Sequence, residues 1–478
     1  MEWLIDNADA YESIISAIRR ARTSVCISQL AFDVNCEAFA PDGRVTRLLD
    51  VLVAAAERHA LRVRILLNTS ILVNTAPALR AELARRGVIG VEVRGIDRFP
   101  QLLHAKMLIV DDRDGFLLGS PFVNGYWDDS THRPVDARRP TRELGGRPLH
   151  DLSVRVGRGA ARQLRSVFDE WWAGAADGAT PMAPPSAVRP VRTVTQRVLR
   201  TAPARVLAAH RDGHVEILAA MLRGISRARE LLYIEHQYLS SRKVIGAVAD
   251  ALARHPQLEV VALVNQNPDV TAYRGWQNAR LRDSGLLAHD RFGLFALWSQ
   301  ARDGERLLLN QVFVHSKVIV ADDRWATVGS ANVDGVSLHS YGADFESRLG
   351  ERVFRRVRNF DVNLELEGAH EARAIETLRR RLWLEHLGDD LPDQRPRRGW
   401  LWHWRACAAA NVAELNAFPS AATSRASRSF VLPYGTASRP ARQLEDAGVR
   451  HRASLHVCFD PSWLEVHCSP NWIRNMFE

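Results

Sequence analysis

Leu103-His104-Ala105-Lys106-Met107-Leu108-Ile109-Val110-Asp111 and Val314-His315-Ser316-Lys317-Val318-Ile319-Val320-Ala321-Asp322 are two versions of one pattern in a single chain. Of the 64 lysines and arginines only three are lysine, and two of those three are Lys106 and Lys317. On a solvated face arginine replaces lysine freely, but a planar guanidinium does not stand in for a compact ammonium that grips one small anion. The placement of the two lysines therefore marks a candidate site. The second copy runs on without a gap as His-x-Lys-x4-Asp-x6-Gly-Ser-x-Asn, through Gly329, Ser330 and Asn332. The first has one extra residue before Gly119-Ser120 and two extra before Asn124.

The apolar, β-branched runs Leu102 to Val110 and Val312 to Val320 predict buried strands that end in Asp-Asp turns. Strand side chains alternate between faces, so His104 projects with Lys106 and His315 with Lys317. The Gly-Ser-x-Asn segments add a close backbone approach, the hydroxyls of Ser120 and Ser330 and the amides of Asn124 and Asn332. All of these are expected donors to phosphate oxygens.

The repeat extends beyond the pattern. Ile18 to Gln29 is similar to Ile225 to His236, and Leu61 to Asn68 to Leu258 to Asn265. The offset between the two Gly-Ser pairs also places Asp151 on Asp361. Each half ends in an alternating strand and an amphipathic helix, Ala160 to Trp172 and His370 to His386. The expected fold class is α/β: two duplicated sandwich domains, each a mixed sheet flanked by helices, related by a pseudo-twofold axis. The boundaries read from sequence are 1–173 for the first half, 174–203 for a linker, 204–388 for the second half and 389–478 for a C-terminal extension.

Two His-x-Lys-Asp signatures in one chain resemble the phospholipase D superfamily. Arg147-Pro-Leu-His150-Asp151, Tyr233-Ile-Glu235-His236-Gln237-Tyr-Leu, Val314-His-Ser-Lys and Trp383-Leu-Glu-His-Leu-Gly388 are similar to segments of eukaryotic-type phospholipases D. The departures are His236 where that group usually has Asn, Leu149 where it often has Trp, and a long Arg-rich stretch from Ser340 to Asn359. These departures leave the lipid head group unassigned.

The chemistry suits a phosphodiester, whose negative charge repels hydroxide. A neutral imidazole makes a good nucleophile, and a second imidazole passes a proton to the leaving alkoxide and later takes one from water. Lys106, Lys317, the two serines and the two asparagines would hold the equatorial oxygens. This scheme takes no step through a metal or cofactor. The resemblance implies a phosphohistidine on the N-terminal copy, giving His104 as nucleophile and His315 as acid and base. Asp151 and Asp361 are the expected carboxylate partners of the two histidines, in contacts that cross between halves in the family, with Asp344 and Glu346 as rivals for the Asp361 role. Asp111, Asp322, Glu235 and Gln237 are expected to stand behind the site, the two aspartates having turn formation as their alternative role.

A net charge of +9 and a pI near 9.7 favour anionic partners, a phospholipid surface or a nucleic acid. The five cysteines are odd in number and lack C-x-x-C spacing, which supports neither a disulfide framework nor a zinc site and makes a reducing compartment the default. The opening Met-Glu-Trp-Leu-Ile-Asp has no apolar leader, and no stretch is long enough for a membrane span. The expected location is cytoplasmic or peripheral to a membrane, and secretion without a cleavable signal is compatible with this.

Trp400-Leu-Trp402-His-Trp404-Arg405 suits either a membrane interface or packing on the second half. The leading expectation is a monomeric phospholipase D acting on glycerophospholipids by hydrolysis or phosphatidyl transfer. The alternatives are a nuclease of the same superfamily and a non-catalytic scaffold, the latter at odds with two intact His/Lys/Ser/Asn sets.

Overall fold

The computed structural model describes all residues but 60, 141–143, 176–194, 203–213, 346, 356, 389–390, 393, 420–427 and 460–478. Two mixed sheets dominate it. The first has seven strands in the spatial order Glu2–Ile5, Leu152–Val156, Asp114–Leu117, Met107–Val110, Ser24–Ser28, Arg62–Asn68 and Val91–Ile96. In the second, Gln196–Ala202, Asp361–Glu367, Trp325–Gly329, Lys317–Ala321, Leu231–His236, Glu259–Val264 and Phe292–Asp303 follow the same order of corresponding strands. His214–Val215, Arg306–Gln311, Arg428–Pro433 and Leu455–Val457 extend the second sheet.

The apolar side chains divide along the faces of these sheets. One face of the first sheet packs on helices Asp6–Arg19, Leu48–His59 and Ala76–Arg85. One face of the second packs on Glu216–Arg227 and Arg242–Arg254, with Leu281 of Thr271–Asp283. The remaining face of each joins a single core shared by both halves, filled by helices Arg158–Gly174 and Ala369–Leu387. These helices bury Leu164, Phe168, Trp171, Ile375, Leu378, Leu382 and Trp383 at the helical spacing seen in the sequence.

The structure corrects several expectations. The regular strand in the first signature is only Met107–Val110, because Leu102 to Ala105 turn away to pair with Phe360 of the other half. The second predicted strand is split into Phe313–Val314, paired with Leu149–His150, and Lys317–Ala321. Part of the expected linker, Gln196–Ala202, is a strand beside Asp361–Glu367, where Leu199 and Ala202 are buried; residues 176–194 and 203 of that linker lie outside the described residues.

The C-terminal segment is woven into the second half. Arg428–Pro433 pairs with Phe292–Asp303, and Leu455–Val457 with Arg306–Gln311. Helix Trp400–Ala417 buries Trp400 and Trp404 and leaves Trp402 44% exposed, so two of the three tryptophans belong to the core. The Trp404 ring lies 5.4 Å from that of Trp383, 5.2 Å from Phe295 and 5.9 Å from Tyr233. Trp404→Ala should therefore lower stability by about 3–5 kcal/mol, read from the shift of a denaturant unfolding curve, because the core shared by both halves cannot close over the vacated volume.

Candidate functional site

Each signature histidine is oriented by the aspartate of the opposite half. His104 Nδ1 is 2.7 Å from Asp361 Oδ1, and His315 Nδ1 is 2.9 Å from Asp151 Oδ2. The backbone makes the same exchange. His104 and Ala105 donate N–H bonds to the Phe360 carbonyl at 3.0 and 2.7 Å, and His315 donates to the His150 carbonyl at 2.7 Å. Each imidazole is thus fixed at its backbone and at Nδ1, which leaves Nε2 as the nitrogen free to react.

Burial sets the charge states. It lowers the pKa of His104, aided by Lys106, and takes His315 down to about 4, aided by Lys317, so both imidazoles are neutral at neutral pH. Burial, with Lys317 adding to it, takes Lys106 down to about 7, and burial takes Lys317 to about 8 against the pull of Asp151 and other carboxylates. For Asp151 burial works upward, but His315 and Lys317 outweigh it and hold the group near 2; His104 likewise holds Asp361 low against its burial. The lysine ammonium groups donate to the carbonyls of their own signatures, Lys106 to His104 at 2.8 Å and Lys317 to His315.

The other expected site residues take different places. Ser120 donates to Asp151 and Ser330 to Asp361, the latter at 2.7 Å, so these hydroxyls brace the carboxylates that hold the histidines. Gly119 admits this arrangement, since a side chain there would collide with the Asp151 carboxylate. Asn124 is engaged elsewhere: its side-chain carbonyl accepts from Glu37 N at 2.8 Å and its amide donates to Asn35 O at 2.9 Å. Asn332 is buried with Oδ1 lacking a partner among the described residues.

Asp111 and Asp322 sit at the far ends of their strands, both with φ +53° in tight hairpin turns. Asp111 accepts from the backbone of Arg22, Thr23 and Ser24, and Asp322 from Arg229, Glu230 and Leu231. They are turn clips rather than site residues. Asp344 is held by Arg280 at 3.0 Å and so does not compete for His104; Glu346 lies outside the described residues. Glu235 is a buried hub, bonded by His150 and His386 at 2.9 Å each and by Ser316 and Tyr233. Gln237 donates to Tyr238 and Asp269.

Two matched pairs escaped the sequence reading. Asn68 grips Leu103, the residue before His104, through both its amide N–H and carbonyl at 2.9 Å; Asn265 does the same to Val314, before His315, at 2.7 and 2.8 Å. Gln29 and His236 are fully buried, yet their polar side-chain atoms have no partner among the described residues. His236 lies opposite Lys317, and Gln29 lies one step past the Ser28–Met107 pair, which sets it opposite Lys106. The signal was present, since both pairs close repeat-matched segments. Burial and Lys317 together push His236 down to about 3, so it is a neutral donor and acceptor.

A family model described as "Cardiolipin synthase, PLD-like domain" matches residues 221–349. Over 306 residues the chain is 26% identical to phospholipase D zeta 1 of Arabidopsis thaliana, covering 53% of this chain and 26% of that protein. It is 22% identical over 347 residues to phospholipase D A of Dictyostelium discoideum, covering 60% and 27%. To phospholipase D1 of Schizosaccharomyces pombe it is 32% identical over 106 residues, 20% of this chain and 7% of that one. The matched segments therefore span under a third of the length of these relatives. The crystal structure of a phosphatidylserine synthase from Haemophilus influenzae Rd KW20 shares the fold, with TM-score 0.54 and 14% identity over 80% of this chain and 85% of that one. Together these likenesses support the phospholipase D superfamily as the family this chain resembles.

The asparagine clamps give a test that does not depend on activity. Asn265→Ala leaves the Val314 N–H and C=O and the Gln237 carbonyl short of a partner in the interior. Each group so stranded costs about 1–3 kcal/mol, and the loss should appear as a lower denaturant midpoint, with Asn68→Ala behaving alike.

Proposed function

We propose that the protein is a phospholipase D-type phosphodiesterase and phosphatidyltransferase that acts on glycerophospholipids through a covalent phosphohistidine. The observation that carries this reading is the pair of neutral imidazoles, His315 buried and His104 12% exposed, each held at Nδ1 by a carboxylate from the other half and each beside a lysine. Residues 1–173 and 204–388, with the Gln196–Ala202 strand, act in this reading as duplicated halves of a monomer that share one site.

His104 Nε2 attacks phosphorus, and the bond from phosphorus to the head-group oxygen breaks. His315, having taken up a proton next to the bound anion, gives that proton to the leaving oxygen. Water or an alcohol then surrenders its proton to His315 and attacks the same phosphorus, the phosphorus–nitrogen bond breaks, and phosphatidic acid or a new phosphatidyl ester departs. Lys106 and Lys317 hold the equatorial oxygens, assisted by Gln29 and His236, whose unused polar groups lie beside the lysines. Ser120 and Ser330 serve the aspartates. No step passes through a metal.

Mixed phospholipid vesicles with ethanol, in buffer without added divalent cations, should yield phosphatidic acid and phosphatidylethanol by mass spectrometry. His104→Ala and His315→Ala should each reduce both products by at least about 10³-fold. Absence of lipid products together with cleavage of DNA or RNA in a parallel reaction would transfer the same histidines to a nuclease.

The pH profile follows from the shifted groups. Lysines lowered to about 7 and about 8 carry charge only below those values, so kcat/KM should fall as pH rises through that interval. Histidines below their ordinary 6.5, His315 near 4, lose the neutral imidazole only in more acidic solution, so the acid limb should lie below 6.5. An alkaline limb near the ordinary lysine value, measured with a monomeric short-chain lipid, would remove the lysines from phosphate binding.

A further inference from the structure

A second constellation of ionisable groups lies apart from the reacting atoms and is linked to Glu235 through His150. His132 Nε2 and His150 Nδ1 point toward the same pair of carboxylates. Glu385 Oε1 is 2.9 Å from the first and 2.7 Å from the second; Asp6 Oδ2 is 3.5 Å from His132, and Asp6 Oδ1 3.1 Å from His150. The side chains of His132 and His150 are fully buried, that of Asp6 is 1% exposed and that of Glu385 11%. The four come from distant parts of the chain: the start of the first helix, a loop, the Leu149–His150 strand and the helix Ala369–Leu387 of the other half.

Three observations single this cluster out. Each imidazole gives its remaining nitrogen to a further carboxylate, His132 Nδ1 to Asp128 Oδ2 at 3.2 Å and His150 Nε2 to Glu235 Oε1 at 2.9 Å. Metal-ligating histidines are oriented in this way, with the outer carboxylate fixing the tautomer that turns a lone pair inward. Second, Asp6 Oδ2 and His150 Nδ1 have no hydrogen-bond partner among the described residues, although both are buried; the short approaches to His150 Nδ1 are in directions that make no hydrogen bond. Third, one ligand atom from each of the four residues lies within 4.8 Å of the others, and the carboxylate–imidazole approaches of 2.7–3.5 Å bracket the roughly 3.3 Å edge of a tetrahedron whose ligands are about 2.0–2.1 Å from its centre.

We propose that Asp6 Oδ2, His132 Nε2, His150 Nδ1 and Glu385 Oε1 form a binding site for a divalent transition-metal ion of the zinc class. Two imidazoles with two carboxylates suit zinc or cobalt better than magnesium or calcium, which prefer all-oxygen shells. All four coordination positions are taken by protein, so the ion is structural. It ties the first helix and the Leu149–His150 strand of one half to the Ala369–Leu387 helix of the other. His150 immediately precedes Asp151, the carboxylate that orients His315, so the ion also steadies that aspartate.

The test is metal retention by the full-length protein. After incubation with Zn²⁺ or Co²⁺ and dialysis against metal-free buffer, wild-type protein should retain about one equivalent by elemental analysis and show the visible absorption of tetrahedral Co²⁺. The His104→Ala/His315→Ala double variant should retain the same amount, which separates this site from the reacting imidazoles and from the proposed activity. Glu385→Gln should abolish retention, and Asp128→Asn, which touches no ion, should weaken binding about 10–100-fold. If Glu385→Gln does not fold by circular dichroism, Asp128→Asn decides in its place. Absence of retained metal and of a thermal shift with either ion in the wild type would overturn the proposal, as would retention that disappears in the double variant but survives in Glu385→Gln or, where that variant does not fold, is undiminished in Asp128→Asn.

Discussion

Everything at the centre of this molecule depends on an exchange of carboxylates between its two halves. A histidine on a loose strand end has neither a fixed tautomer nor a fixed direction. Here each is given both by an aspartate it could not reach within its own sheet, Asp361 for His104 and Asp151 for His315. The exchange is reinforced by backbone bonds from the histidines to Phe360 and His150, the residues just before those aspartates. Position and orientation therefore come from the same short segments.

The common core serves that exchange. Helices Arg158–Gly174 and Ala369–Leu387 contribute Leu164, Phe168, Trp171, Ile375, Leu378, Leu382 and Trp383 to one apolar core that both sheets share, and the buried contacts of Glu385 and His386 add polar ties to it. Such an interior resists relative motion, which suits a site whose critical contacts span both halves. The low pKa values have the same origin. Sealing two lysines and two histidines between packed layers penalises their charge until an anion arrives to offset it.

Much of this was legible in the residues. The rarity of lysine picked out Lys106 and Lys317, the offset between copies picked out Asp151 and Asp361, and alternating apolar runs placed most of the strands. What was not legible depended on the partner of each group. A sequence records that Ser120 and Asn124 carry donors, but not that one is used by Asp151 and the other by a loop at Asn35 and Glu37. Nor does spacing disclose that an apolar run leaves its sheet at Leu102 to pair across the halves, or that Gln196–Ala202 completes a sheet from within a stretch rich in proline and glycine. Those outcomes are set by contacts distant in the chain, and local propensity yields to them. Asn68 and Asn265 were discernible in principle, as polar residues closing matched buried strands.

The strands at the C-terminal end carry a consequence for how this chain can be divided. Phe292–Asp303 is paired on its outer side with Arg428–Pro433, and Arg306–Gln311 with Leu455–Val457. A chain cut after Gly388 would keep both signatures and both aspartates, yet it would bare the hydrogen-bonding edges of Phe295–Gln300 and Leu307–Leu309 together with the apolar seat of Trp400 and Trp404. Open edges of that length recruit other chains. The segment that looks dispensable for chemistry is thus a solubility device, a cover that keeps the second sheet from templating its own aggregation.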